Sequence, residues 1–340
     1  MNKLSPRTIW NAEEKELSRL LDDGTFLREA KRIHFYAPSF MYYRASGFCP
    51  SEMNFPTVSV TGRKCALRCR HCGGTVLDTM YPAETPEKLG EVCRELKKKG
   101  AQGLLLSGGC DLNGSVSLER FGEAIKKIRR ELGLTVFVHS GIVSPDTARM
   151  LQEAGVDAVL IDVIGSDETI REICHLETTV DSYERSLRAL KDADLTFVPH
   201  VIVGLHYGKL MGELNALEIV SRYDPAALVI IAFMPITGTA MEKVQPPRPI
   251  DIARVVATAR TMLWNVPLTL GCMRPKGRHR AETDVLALKA GVDAVAFPSE
   301  ECVEFARKNG WEAKFSSFCC SQIFHDAQPN AISDGSPRLP

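Results

Sequence analysis

Three cysteines within one short stretch, Cys65-Ala66-Leu67-Arg68-Cys69-Arg70-His71-Cys72, constrain this chain more than any other feature. Their spacing brings three thiolates onto one tight loop. Thiolates are the preferred ligands of iron–sulfur clusters, so the loop suits three corners of a cubane and leaves its fourth iron open. A zinc site would usually add a second Cys or His pair, and chance proximity is the bland alternative. The loop follows an apolar, β-branched run from Phe55 to Gly62, which reads as a strand. A cluster loop at the carboxyl end of a strand is far more specific than the spacing alone.

From there the chain alternates. Strand-like runs fall near 56–62, 103–107, 134–139, 156–163, 195–204, 227–233, 266–271 and 292–297. Helix-like runs follow them near 84–99, 117–132, 144–154, 181–192, 213–222, 249–264, 279–290 and 300–309. Several of these open on a capping residue and Pro and stop at Gly, as in Thr85-Pro86 to Gly100 and Ser144-Pro145 to Gly155. Eight such units with nearly continuous apolar strands predict an α/β fold with a parallel sheet, and eight is the number that closes a (β/α)8 barrel of the TIM type. Ala154-Gly155-Val156-Asp157 recurs as Ala290-Gly291-Val292-Asp293, four units later, and predicts like surroundings for the joints entering the fourth and eighth strands.

Residues 8 to 35 carry helical spacing through Leu17, Leu20, Leu21, Phe26 and Leu27, which predicts an N-terminal helical extension over 1–54. The barrel then spans 55–310. A C-terminal tail over 311–340 carries Cys319 and Cys320 and ends in a polar, proline-containing stretch that reads as disordered.

Composition narrows the function. Lys plus Arg and Asp plus Glu both number 42, so no global field draws the chain to nucleic acid or an anionic membrane. Apolar runs such as Ala226 to Pro235 are too short to span a bilayer, and the N-terminus has no signal-peptide core, so a cytoplasmic protein is expected. Eleven cysteines in that setting point to metal or redox chemistry before disulfides. Cys93 and Cys302, on apolar helix faces, read as core.

The Cys65-x3-Cys69-x2-Cys72 loop after a first strand resembles the signature of the radical S-adenosylmethionine (SAM) superfamily, with His71 where members usually carry an aromatic residue. That resemblance implies a radical SAM barrel in which Cys65, Cys69 and Cys72 hold a 4Fe–4S cluster and SAM occupies the open iron. One electron then cleaves SAM to methionine and a 5′-deoxyadenosyl radical, which the protein aims and shields from water. Ser107-Gly108-Gly109 is similar to the family element whose backbone contacts the SAM amino group, although Cys110 stands where Glu is usual. Val201-Ile202-Val203-Gly204-Leu205 and Pro235-Ile236-Thr237-Gly238-Thr239 resemble biotin synthase strands, the second lying beside the adenine. Tyr183-Glu184-Arg185 is similar to a biotin synthase run whose Arg binds the SAM carboxylate; a solvated helix charge is the plain alternative for Arg185. Asp162, polar in an apolar strand, reaches SAM or substrate on one reading and is a buried, hydrogen-bonded carboxylate on the other.

The auxiliary-cluster cysteines of biotin synthase on strands three and five have no counterpart here, where His139 and Pro199-His200 stand. The chain instead offers Cys110, Cys272, Cys319 and Cys320 as candidate ligands of an auxiliary cluster, with Cys49 in reserve. Ser59-Val60-Thr61-Gly62, Ile164-Gly165-Ser166-Asp167-Glu168-Thr169, Gly271-Cys272-Met273-Arg274-Pro275 and the cysteine pair resemble the biotin synthase-like subunit of two-component lipoyl synthases. This resemblance implies sulfur insertion into an octanoyl chain on a lipoyl carrier protein or domain. It also implies a second lipoyl synthase subunit as partner and reduced ferredoxin or flavodoxin as electron donor. The basic run from Met273 to Arg280 is expected either to dock an acidic carrier or to be a charged loop without a partner. Another radical SAM reaction, or a non-catalytic iron–sulfur or zinc protein, remains open on the sequence.

Overall fold

The computed structural model describes residues 4–28, 31–38 and 53–327; Cys49 and the tail from 328 onward lie outside them. All eight predicted strands form, and three more join them in one sheet. The strands are β1 (Arg32–Tyr36), β2 (Thr57–Ser59), β3 (Tyr81–Pro82), β4 (Gly103–Ser107), β5 (Thr135–His139) and β6 (Ala158–Asp162). They continue as β7 (Phe197–Val203), β8 (Leu228–Ala232), β9 (Leu268–Leu270), β10 (Ala294–Ala296) and β11 (Glu312–Ser316). Every pairing is parallel, in the order β11-β1-β10-β9-β8-β7-β6-β5-β4-β2-β3. Helices cover the outer face, as parallel crossovers require.

Local chemistry sets the helix starts. Thr85 Oγ accepts the Lys88 N–H ahead of Pro86–Lys98, Ser144 Oγ that of Thr147, and Ser299 Oγ that of Cys302. Cys93 and Cys302 are fully buried between strands and helices, as their apolar surroundings predict. The repeated Gly-Val-Asp joint is repeated in space as well. Asp157 Oδ2 accepts from Arg129 and from the Val136 N–H of β5. Asp293 Oδ2 accepts from Arg260 and from the Leu268 N–H of β9. Each aspartate therefore ties an arginine of an earlier crossover to the start of the neighbouring strand.

Three expectations are corrected. Residues 8–35 are not one helical run: helices Pro6–Asn11 and Glu14–Asp22 are followed by β1, which pairs with β10 and β11. Leu17, Leu20, Leu21 and Phe26 are buried as the pattern implies, but Leu27 is exposed. The alternation of Ile33 and Phe35 with polar residues is the strand period that the helical reading overran. Second, the segment expected as a C-terminal tail is part of the fold over its described residues: its first part is β11, and the residues after it fill the interior. Inward residues Phe137, Ala158, Leu160, Val198, Val229, Ala294 and Ala296 enclose Cys319, Cys320 and Ile323. Phe318 packs on Phe55 beside β2 at 5.7 Å between ring centroids, and Phe324 on Phe137 at 6.1 Å. Buried Tyr36 donates to Asp326 Oδ2 at 2.5 Å and pins the far end of this plug. The sheet thus curls around its own C-terminal segment.

Third, the basic run at 273–280 is not uniformly a docking surface. Arg274 is fully buried with Asp284, donating to Asp284 Oδ1 at 2.7 Å and to the carbonyls of Gly271 and Phe297. Asp284 Oδ2 in turn accepts the Ser299 N–H. His279 bonds the Pro247 carbonyl and Arg280 that of Arg274, while Lys276 and Arg278 are exposed. Removing one partner of a buried pair leaves the other charge uncompensated. Arg274→Ala is therefore expected to cost about 3–5 kcal/mol in chemical denaturation, against less than about 0.5 kcal/mol for Lys276→Ala. Equal midpoints for the two variants would refute the clamp.

Candidate functional site

Parallel α/β barrels carry their chemistry at the carboxyl ends of the strands. The cysteine loop follows β2 and is held there by an element the sequence reading passed over, the helix Asp167–Cys174 after β6. A helix's last carbonyls lack intrahelical partners. Here the cysteine loop supplies them: Arg70 donates from its backbone N–H to Ile173 and from Nε to Glu172, and the Cys69 thiol donates to Cys174 at 3.4 Å. His175 Nδ1 donates back to the Leu67 carbonyl at 3.1 Å. The signal for this helix was the Ser166-Asp167-Glu168-Thr169 run, in which Ser166 Oγ caps the Thr169 N–H.

Ligand atoms of Cys69, His71 and Cys72 lie within 4.8 Å of one another, and Cys65 opens the same loop. Hydrogen bonding to Cys174, only partly offset by Cys72, and burial push the Cys69 thiol well above its ordinary range. Hydrogen bonding to Cys69 and burial push Cys72 up to about 12. His71 Nδ1 is buried without a hydrogen-bond partner. Two thiols costly to ionise alone, Cys69 and Cys72, on one loop with Cys65, fit a metal cluster that takes its ligands as thiolates.

Gly109 lies against this loop, while Gly108 packs on Thr61 and Val116. The Gly109 N–H donates to Thr61 Oγ at 2.7 Å, and Ala66 donates to the Cys110 carbonyl. A methyl group on Gly109 would overlap the Lys64 carbonyl and the Cys65 side chain. Gly109→Ala is expected to strip most iron from the reconstituted protein. Gly238→Ala, at a φ of +82° but with nothing within 4 Å of the added carbon, should leave iron content unchanged. Equal iron in both variants would separate Gly109 from the loop's integrity.

The other predicted residues disperse or regroup. Gly238 is exposed, its N–H donating to Glu242. Arg185 is exposed and donates to Ser182 Oγ, while neighbouring Glu184 accepts from Arg222 and Tyr223. The four candidate auxiliary thiols divide. Cys110 packs against the outer core beside the cluster loop, where burial and then the charge of Cys65 raise it to about 12. Cys272, Cys319 and Cys320 belong instead to the inner core. Burial and the charge of Cys319 raise Cys272 to about 11. The Cys319 thiol is lowered chiefly because Cys320 hydrogen-bonds to it, and Cys320 is raised in consequence.

Asp162 is neither isolated nor fully hydrogen-bonded. It meets His139 Nε2 at 3.6 Å, and Asp162, His139 and His200 present ligand atoms within 4.8 Å of one another. Burial raises the Asp162 carboxyl, but the two histidines outweigh it and hold the group below its ordinary range. Burial and the neighbouring His139 lower His200 to about 4. In the sequence both histidines stand out only as positions where biotin synthase carries cysteine. Their shared inward parity with Asp162 was the available signal.

Among the described residues no helix is long and apolar enough to cross a membrane. The family model for the radical SAM superfamily matches residues 59–208. The chain is similar to biotin synthase of Prochlorococcus marinus (strain NATL2A), 27% identical, and of Synechococcus sp. (strain CC9902), 23% identical. These matches cover 86% of this chain and 82% and 86% of the relatives. Among solved structures, methylornithine synthase matches with a TM-score of 0.57 at 19% identity, covering 86% of this chain and 81% of that one. The FeFe-hydrogenase maturase HydG from Carboxydothermus hydrogenoformans matches at 0.58 and 15%, covering 95% and 78%. These structural likenesses carry the fold.

Proposed function

We propose that this chain, whose residues 59–208 match the radical SAM superfamily model and which is similar to biotin synthases over 86% of its length, is a radical SAM enzyme that inserts sulfur into an unactivated C–H bond. The substrate we assign is an octanoyl chain on a carrier-protein lysine, which makes the chain a lipoyl synthase subunit. The observation that carries this reading is the second group of thiols, Cys272, Cys319 and Cys320, in the inner core of the barrel. Making a radical requires only the first loop; delivering sulfur requires a source within reach of the carbon that loses hydrogen.

Cys65, Cys69 and Cys72 are assigned to the 4Fe–4S cluster, and the donor set on their loop fits it. When bound, the cluster and SAM supply the 5′-deoxyadenosyl radical. The chain's own contribution is positional. The helix Asp167–Cys174 fixes the loop, Gly109 allows β4 to approach it, and the aromatic and aliphatic inner layer keeps water from the reacting end. Cys272, Cys319 and Cys320 would hold the auxiliary cluster, without Cys110. Exposed Lys276 and Arg278 suit encounter with an acidic carrier. A second lipoyl synthase subunit and reduced ferredoxin or flavodoxin complete the proposed assembly.

The test is an anaerobic reaction of reconstituted protein with SAM, reductant and an octanoyl-lysine peptide, with the partner subunit present, read by mass spectrometry. Thiolated octanoyl product supports the assignment. SAM cleavage without such product overturns the sulfur step while leaving the radical step standing.

A further inference from the structure

We propose that His139, Asp162 and His200 bind one divalent transition-metal ion inside the barrel mouth. The three side chains come from adjacent strands, β5, β6 and β7. Asp162 is in register with His200, and His139 with Leu160, two residues before Asp162. In a strand, residues two apart share a face, so all three point to the interior that Leu160 already lines. Their ligand atoms lie within 4.8 Å of one another, with the imidazole rings 5.4 Å apart between centroids.

Two details favour a cation over a self-satisfied polar cluster. Asp162 Oδ1 is buried with no hydrogen-bond partner, although His139 Nε2 stands 3.6 Å away. A buried carboxylate oxygen normally finds a donor. His200 Nδ1 lies 3.1 Å from the Val198 carbonyl, which can only accept, so Nδ1 carries the proton and Nε2 keeps its lone pair. Metal-ligating histidines are commonly fixed by such a bond on the other ring nitrogen. Two imidazoles and one carboxylate form a facial set with open positions, which suits iron(II) or zinc. Calcium and magnesium prefer oxygen-only sets. The open positions face the mouth, where an oxygen donor of a substrate would complete the coordination.

The experiment uses the full chain, reconstituted anaerobically and freed of loosely held metal, with zinc ions as the probe. The expected result is one further zinc per chain, with a zinc-edge absorption spectrum fitted by nitrogen and oxygen ligands alone. His200→Gln and Asp162→Asn should each weaken that zinc by more than about tenfold, while a Cys319→Ser/Cys320→Ser double variant retains it. Sulfur in the zinc shell, no further zinc, or unchanged affinity in both variants would overturn the site. The spectrum of the unmodified chain decides the matter even if a variant fails to fold.

Discussion

Cys69→Ala is expected to reduce reductive SAM cleavage to the level of cluster-free protein, measured as 5′-deoxyadenosine formed per chain under anaerobic conditions. The effect should be all but complete because the thiolate ligands act as a unit, and Cys69 is also the residue through which the loop bonds to Cys174. Cys93→Ala is the matched control. It removes a fully buried cysteine from the apolar face of the helix Pro86–Lys98, outside the cluster loop, and should leave cleavage close to that of the unmodified chain. The raised thiols of Cys69 and Cys72 add a pH dependence to cluster assembly. A ligand whose pKa lies above the working pH must lose its proton to bind iron, so loading should improve as pH rises from 7 towards 9. Full cleavage by Cys69→Ala, or loading that falls with rising pH, would contradict the assignment of this loop.

Most of the barrel was legible because its signals are local. A β-branched run followed by an amphipathic one repeats eight times, and Ser144-Pro145 or Thr85-Pro86 marks a helix start by chemistry confined to four residues. The cysteine loop was legible for the same reason. What escaped depends on contacts distant in sequence. Nothing near Arg32–Tyr36 announces that β10 and β11 will pair with it, and its five residues are too few for the strand period to outweigh the helical one before it. Arg274 looked like part of a basic loop because its counter-charge, Asp284, lies on the following helix. Cys110 looked like a partner of Cys272 because both follow strands of the same barrel. The tail's passage into the interior then drew Cys319 and Cys320 to Cys272 and left Cys110 with the first loop. The histidines at 139 and 200 were visible but unread, since their meaning comes from sharing an inward face with Asp162.

A Cys319→Ser/Cys320→Ser double variant is expected to separate the two halves of the proposed chemistry. SAM cleavage should continue near the unmodified rate, because these residues belong to the inner core and the cluster loop is held from the outer side by Asp167–Cys174. Thiolated octanoyl product should fall below detection, because serine keeps the size of the thiol but removes the sulfur ligand. Two observations keep the test clean. Thr269 touches this segment at the Cys320 carbonyl and Tyr36 holds Asp326, and both contacts use atoms the substitutions leave in place, so the plug should stay seated. Denaturation midpoints can verify that directly, and Phe318→Ala, which loosens the plug against Phe55 while keeping every thiol, provides the contrast. If the folded double variant still thiolates the octanoyl chain, the sulfur comes from elsewhere and the inner thiols are packing. If it loses SAM cleavage as well, the plug shapes the radical site and the two thiol groups do not act as separate centres. Only retained cleavage with lost product matches a chain that makes its radical on one group of cysteines and draws its sulfur through another.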